Sequence, residues 1–146
     1  MTIIAVLIAS GLVILTVGIH LFLLRGLSRL ISRMRPIPVM GMGTAMVVAI
    51  LGHLVEICIF AIAQWRMITD GRFGSLQGKI QHGRHDYFYY SAITYTSLGF
   101  GDVAPLGSLR LLAAVEAITG LVLIAWTASF AFLAMQELWE TDATVP

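Results

Sequence analysis

Nine consecutive residues, Thr94–Asp102, carry the groups best suited to holding a bare cation. They read Thr-Tyr-Thr-Ser-Leu-Gly-Phe-Gly-Asp, with Gly99 and Gly101 on either side of Phe100. Glycine adopts positive φ without a Cβ clash, so this spacing lets successive carbonyls turn to one side. The Ser97 hydroxyl adds one more oxygen at the inner end of the row. Carbonyl oxygens in a row can replace the water around a cation, and we therefore predict cation coordination by segment 97–101.

Ionisable side chains inside long apolar stretches are the second chemical feature. His53 and Glu56 are three residues apart, which places them on one face of a helix. Our first interpretation is a hydrogen-bonded pair that fastens neighbouring helices, and the alternative is a proton sensor. A metal site is disfavoured, because one histidine and one glutamate lack further ligands. His20, near the end of the first apolar stretch, is expected to lie at the lipid headgroups.

Glu116 lies in the last apolar stretch, where a carboxylate is costly. It either braces a neighbouring helix or tunes the access of cations. The alternative is a simple hydrogen bond to a nearby threonine or tyrosine hydroxyl.

The composition indicates a membrane setting for these residues. Of the 146 residues, 58% are hydrophobic and 12% are charged, whereas a soluble domain has about 25% charged residues. Residues 2–24 contain no charge, 36–65 contain only Glu56, and 111–136 contain only Glu116. Each stretch exceeds the ~20 residues that a helix needs to cross the hydrocarbon. We predict three transmembrane helices, which excludes a soluble enzyme.

The predicted fold class is an all-α membrane protein with a re-entrant element between its second and third spans. The first part, 1–39, is an extra N-terminal transmembrane helix followed by a basic loop. The second part, 40–136, contains an outer helix, a polar loop, a re-entrant helix, an extended segment and an inner helix, at 40–65, 66–86, 87–96, 97–101 and 109–135. Residues 137–146 form a short tail.

The re-entrant element is inferred from its length. A helix over 87–96, capped by Asp86, descends about 15 Å, and five extended residues climb about the same distance back. Non-helical backbone is tolerated at that depth only where it lines a watery path or is buried in protein. A pore is the simplest such path, and enclosing a cation requires several copies of the chain around an axis. The alternative is a glycine-rich interfacial turn that merely connects two helices.

Thr94–Asp102 resembles the selectivity-filter signature of potassium channels, Thr-x-Thr-Thr-Val-Gly-Tyr-Gly-Asp. The likeness covers about 40–136, as the outer helix, pore helix, filter and inner helix of a two-helix pore domain. The whole chain is also similar to small bacterial potassium channel-like proteins with one extra helix. This resemblance implies K+ bound at Ser97, Leu98, Gly99 and Phe100, with Gly101 completing the filter.

The resemblance also implies roles for residues around the filter. An aromatic pair surrounds it, two threonines and an aspartate flank it, and a glycine supplies an inner-helix hinge; these are Tyr89, Tyr90, Thr94, Thr96, Asp102 and Gly120 in this chain.

This chain departs from the family signature at three filter positions. Ser97 replaces threonine, Leu98 replaces valine, and Phe100 replaces tyrosine. The absent phenol hydroxyl removes a hydrogen bond worth about 1 kcal/mol per subunit, which weakens the expectation of strict selectivity for K+ over Na+. Ile93 stands where some members carry a pore-helix carboxylate, so Asp102 lacks that partner.

The resemblance implies a homotetramer in a bacterial-type inner cell membrane, with the lipid bilayer and monovalent cations as partners. The N-terminus is then outside the cell, the C-terminus is cytoplasmic, and K+ is the permeant ion rather than a cofactor.

The functional prediction is therefore a cation channel, most simply a potassium channel that conducts passively and has no enzymatic activity. The alternative is a non-conducting or weakly selective membrane protein that uses the pore fold as a scaffold or accessory subunit. A membrane metalloenzyme built on His53 and Glu56 is disfavoured for want of ligands. The net charge of +1 offers no basic surface for nucleic acid.

Overall fold

The computed structural model describes residues 2–34, 38–81 and 83–143. Within these ranges the chain forms four helices and two short strands, which are α1 (Thr2–Arg33), α2 (Pro38–Asp70), β1 (Leu76–Gly78), α3 (Arg84–Tyr95), β2 (Val103–Pro105) and α4 (Leu109–Ala143). Three of the helices are long and apolar enough to span a membrane, over Thr2–Arg33, Val39–Asp70 and Leu109–Glu137. The predicted all-α membrane protein with three spans is confirmed.

All three spanning helices run past the ends expected from the apolar stretches. α1 continues unbroken to Arg33, because Gly26 alone costs too little to end a helix that is otherwise well formed. α2 continues past Trp65 to Asp70 and ends at Gly71, whose φ of 74° is typical of a helix-terminating glycine. α4 begins at Leu109, as predicted, and extends to Ala143. Apolar patterning therefore locates the spans but not the helix ends.

The three long helices pack side by side, and α3 packs between α2 and α4. At one end of the bundle, Ala5 and Ala9 of α1 lie in a core cluster with Phe60, Leu109 and Leu112. At the other end, Leu24 and Leu27 of α1 pack against alanines of α2. Small residues at these contacts let the helix backbones approach closely, as is usual between membrane helices. The N-terminal end of α1 therefore lies on the same side as the start of α4.

A two-stranded antiparallel sheet orders the loop between α2 and α3, which sequence patterning did not indicate. β1 pairs with β2, with Leu76 opposite Pro105 and Gly78 opposite Val103. Gly78 has a φ of 130°, and a Cβ there would lie 2.0 Å from the Asp102 carbonyl oxygen. The sheet therefore attaches this loop to the chain immediately after segment 97–101.

Candidate functional site

The short helix α3 delivers the chain to segment 97–101. It begins at Arg84 with Gly83 as its N-cap, so the expectation that Asp86 is the N-cap is wrong. Asp86 lies at the third helical position, and its Oδ2 accepts the backbone N–H groups of Gln81 at 2.9 Å and Gly83 at 3.0 Å. The carboxylate thus stabilises the helix start from inside the first turn, where it also complements the helix dipole.

Backbone hydrogen bonds hold segment 97–101 to the last turn of α3. The Ser97 N–H donates to the Thr94 carbonyl at 2.9 Å, and the Gly99 N–H donates to the Ile93 carbonyl at 3.1 Å. Thr96 is exposed, and its hydroxyl donates to the Ala92 carbonyl at 2.7 Å. The position of the segment therefore follows the position of the C-terminal end of α3.

Every second residue of segment 97–101 has a left-handed backbone. The φ angles are 57° at Ser97, 48° at Gly99 and 79° at Gly101. Ser97 is the one non-glycine residue with positive φ in the described ranges, and such a conformation costs a residue with a Cβ about 1–2 kcal/mol. The backbone thus alternates between left-handed and right-handed or extended conformations along the segment. This alternation includes Ser97, a residue type that disfavours positive φ.

Segment 97–101 is exposed on the surface of a single chain. Leu98 is 59% exposed and Phe100 is 64% exposed. Ser97, Gly99 and Gly101 are exposed as well. Two large apolar side chains thus project from irregular backbone with most of their surface left uncovered by their own chain.

The tyrosines of α3 support the segment from two directions. The Tyr89 hydroxyl donates to Asp102 Oδ2 at 2.9 Å, so Asp102 has a tyrosine partner in place of the pore-helix carboxylate. Tyr90 is buried in a cluster with Val103, just beyond the segment, while Thr94 is half-buried. Asp102 Oδ1 is buried without a hydrogen-bond partner among the described residues.

Glu56 forms the centre of a polar cluster that involves all four helices. Its carboxylate is fully buried and lies 2.9 Å from His20 Nδ1 and 3.1 Å from His53 Nδ1. It also accepts a hydrogen bond from the Tyr95 hydroxyl. Thr127 Oγ1 lies 3.2 Å from His20 Nε2 and 3.0 Å from His53 Nε2. The placement of His20 at the lipid headgroups is wrong, because Glu56 provides a buried partner for it inside the bundle.

Glu116 forms a second buried cluster, nearer the start of α3. Its carboxylate accepts hydrogen bonds from the Ser91 hydroxyl and from the Gln64 amide. The Ser91 hydroxyl also lies 2.9 Å from the Ile57 carbonyl oxygen. Glu116 therefore joins α4 to both α2 and α3, which is the geometry that bracing of α3 requires.

Gly120 lies where α4 crosses the end of α3. A Cβ at this position would be 2.0 Å from the Tyr95 carbonyl oxygen. Glycine is thus required here for space, whether or not the helix also bends at this position.

Four residues of these clusters were missed or misplaced in the sequence analysis. Each is a polar side chain within an apolar or aromatic stretch, and that contrast with the neighbouring residues is the available signal; they are His20, Gln64, Ser91 and Thr127. Their partners lie on other helices, which residue spacing within one helix does not indicate.

The sequence profile of a known family matches part of this chain. The profile is described as ion channel, and it matches residues 57–137, more than half of the 146 residues. The chain belongs to the two-transmembrane ion channel family. A search of the curated proteins finds no match, and a search of the solved structures finds none.

The matched range of this ion channel covers the second half of α2, all of α3, segment 97–101 and most of α4. Family membership implies a multi-pass membrane protein that transports ions rather than an enzyme. α1 precedes the matched range, and so do His53 and Glu56. The Glu56 cluster therefore lies largely outside the part of the chain that the family profile describes.

Proposed function

We propose that this ion channel is a potassium channel in which segment 97–101 is the selectivity filter. The observation that carries the proposal is the alternating backbone hand at Ser97, Gly99 and Gly101. Alternation of this kind lets successive carbonyl groups face one path, as coordination of a dehydrated cation requires. K+ is then the permeant ion, coordinated at 97–100, and no cofactor is needed.

The exposure of the segment supports a homotetramer. One chain supplies one side of a coordination path, so closed symmetry is needed to surround an ion. Leu98 and Phe100 would be covered by neighbouring copies, which removes two large apolar groups from water. The C-terminal end of α3 precedes the segment, and its partial negative charge favours a cation there.

The proposed setting is a bacterial-type inner membrane with the bilayer and monovalent cations as partners. The N-terminus and the loop between α2 and α3 then lie outside the cell, and the end of α4 lies in the cytoplasm. The packing of Ala5 with Phe73 and Leu109 is consistent with the N-terminus and that loop being on one side.

Ion flux from liposomes tests the proposal with a matched set of glycine variants. Gly101→Ala and Gly71→Ala both place a Cβ at positive φ, 79° and 74°, and neither Cβ meets another atom within 4 Å. The local strain is therefore similar, but only Gly101 lies in segment 97–101. We expect Gly99→Ala and Gly101→Ala to lose K+ flux or selectivity, and Gly71→Ala to retain both.

Unchanged K+ flux and K+ over Na+ selectivity in both segment variants would overturn the filter assignment. Native mass measurement of the same preparations tests the assembly, and a stable dimer would overturn the tetramer. A folded wild-type tetramer without flux would favour the alternative, a scaffold or accessory subunit. The replacements at Ser97, Leu98 and Phe100 are the observation that favours that alternative.

A further inference from the structure

The Glu56 cluster has the composition and spacing of a metal site. One ligand atom from each of His20, His53 and Glu56 lies within 4.8 Å of the other two. His20 and Glu56 are fully buried, and the His53 side chain is 16% exposed. Residue spacing alone disfavours a metal site because His53 and Glu56 lack further ligands on their own helix, and α1 supplies one as His20.

We propose that His20, His53 and Glu56 bind a divalent transition-metal ion, with Zn2+ as the expected occupant. Two histidines and one glutamate are an established ligand set for zinc, in which a fourth position stays open. Two ligand atoms at 2.0–2.1 Å from a tetrahedral ion are about 3.3 Å apart. His20 Nδ1 lies 2.9 Å from Glu56 Oε1 and His53 Nδ1 lies 3.1 Å from Glu56 Oε2, so each nitrogen is within a few tenths of an ångström of that separation from its own carboxylate oxygen.

The ligand types select among cations. Ca2+ and Mg2+ prefer sites built from oxygen atoms, and K+ in a filter is likewise held by carbonyl oxygens. Imidazole nitrogen suits zinc and its neighbours in the first transition row. The site is therefore distinct from the proposed ion path in its chemistry as well as in its residues.

Thr127 orients both histidines for metal binding. Its Oγ1 lies 3.2 Å from His20 Nε2 and 3.0 Å from His53 Nε2. A hydroxyl oxygen has two lone pairs, so it can accept an N–H from each ring. Both Nδ1 atoms then present lone pairs toward the Glu56 carboxylate, and a cation between them satisfies all three groups. Fixing of the ring tautomer by a partner on the other nitrogen is typical of metal-binding histidines.

The Tyr95 hydroxyl lies at the remaining side of the site. It lies within hydrogen-bond distance of both Glu56 and His53 Nδ1, the latter at 2.9 Å, and its single proton is donated to one of these two acceptors at a time. Metal binding would therefore hold α1 against α2 next to the last residue of α3. This inference does not rest on the proposed potassium selectivity, because metal content and stability are measured without ion flux.

Metal content of the purified full-length protein tests the inference directly. Bound metal is first removed with a chelator, and the protein is then loaded with Zn2+ and separated from excess metal. Elemental mass spectrometry measures the zinc that remains bound. We expect one zinc per chain in the wild type, and loss of zinc in His20→Gln and His53→Gln. A double variant of the other two histidines, His82→Gln with His85→Gln, is the matched control and is expected to retain zinc.

Two further measurements on the wild type keep the test valid where a variant folds poorly. Co2+ in place of Zn2+ is expected to give the intense visible absorption of a tetrahedral site in the wild type. Zn2+ is also expected to raise the Tm of the stripped wild type, since a ligand that binds only the folded state stabilises it. Substoichiometric zinc in the wild type, an unchanged Tm, or equal zinc retention in His20→Gln would each overturn the proposal.

Discussion

Replacement of Gly120 with alanine tests how strongly the end of α3 depends on close contact with α4. The new Cβ would lie 2.0 Å from the Tyr95 carbonyl oxygen, 2.7 Å from its carbonyl carbon and 2.9 Å from Cγ. A carbon and an oxygen that are not bonded approach to about 3.3 Å, so the two backbones must separate by about 1.3 Å. Two of the three clashing atoms belong to the backbone, so a rotamer change does not relieve the contact.

The expected cost follows from two opposing effects. Overpacking of a close contact costs about 1–3 kcal/mol, and the backbone nature of this clash favours the upper part of that range. The change from glycine to alanine within a helix returns about 0.5–1 kcal/mol. We therefore expect a net destabilisation of about 2 kcal/mol. The displacement reaches Thr96 and segment 97–101 directly, because Tyr95 is the last residue of α3.

Thermal unfolding in detergent and K+ flux in liposomes measure the two consequences separately. Gly18→Ala is the matched control, because it lies in a spanning helix and its added Cβ meets nothing within 4 Å. Gly120→Ala is expected to lose both stability and flux, while Gly18→Ala keeps both. Equal stability and equal flux in the two variants would refute the packing argument. Normal stability with altered open times would instead favour the hinge role.

Two other substitutions test the supports of segment 97–101. Glu116→Leu leaves the buried Gln64 amide without its acceptor and removes the contact of Ser91 with α4, although the Ser91 hydroxyl keeps the Ile57 carbonyl. The substitution is expected to cost about 1–3 kcal/mol; thermal unfolding measures this, and a change below the error of the assay would contradict the bracing role. Phe100→Tyr supplies the hydroxyl that the family signature carries, and a new bond of about 1 kcal/mol in each subunit is expected to tighten selectivity for K+ over Na+ or lengthen openings. Reversal potentials and single-channel records measure this effect, and no change in either would mean that the departure from tyrosine is neutral.

The sequence predicts the spanning helices because each depends on local composition alone. A continuous apolar stretch of more than 20 residues is helical in the membrane, since a helix gives every backbone polar group a partner within the segment. The short helix before segment 97–101 is predicted for the same kind of reason, from an apolar run too short to cross. The helix begins three residues before the predicted start. An aspartate such as Asp86 can stabilise a helix from within its first turn as well as from the N-cap position.

The buried polar contacts between helices that the sequence does not predict join residues that are distant in the sequence. His20 and Glu56 are 36 residues apart, and Gln64 and Glu116 are 52 apart. The pairing of β1 with β2 involves only three residues on each strand, too few for a recognisable alternation. Nothing in the spacing within one helix identifies the facing residue on another. The positive φ at Ser97 is not predicted for a different reason, because its residue type opposes the conformation that the segment adopts.

Hydrogen bonds contribute more to the position of α3 than they do to the position of a helix in a soluble protein. Lipid tails are as apolar as leucine, so burial of apolar surface provides little force to hold one membrane helix against another. Two buried carboxylates instead attach α3 at two points, Glu116 at Ser91 and Glu56 at Tyr95. Tyr95 is also the residue that Gly120 touches. Side chains that interrupt the apolar pattern therefore set the place of the segment that follows, and for this reason isolated polar residues and glycines in a membrane span are the first positions to examine for function.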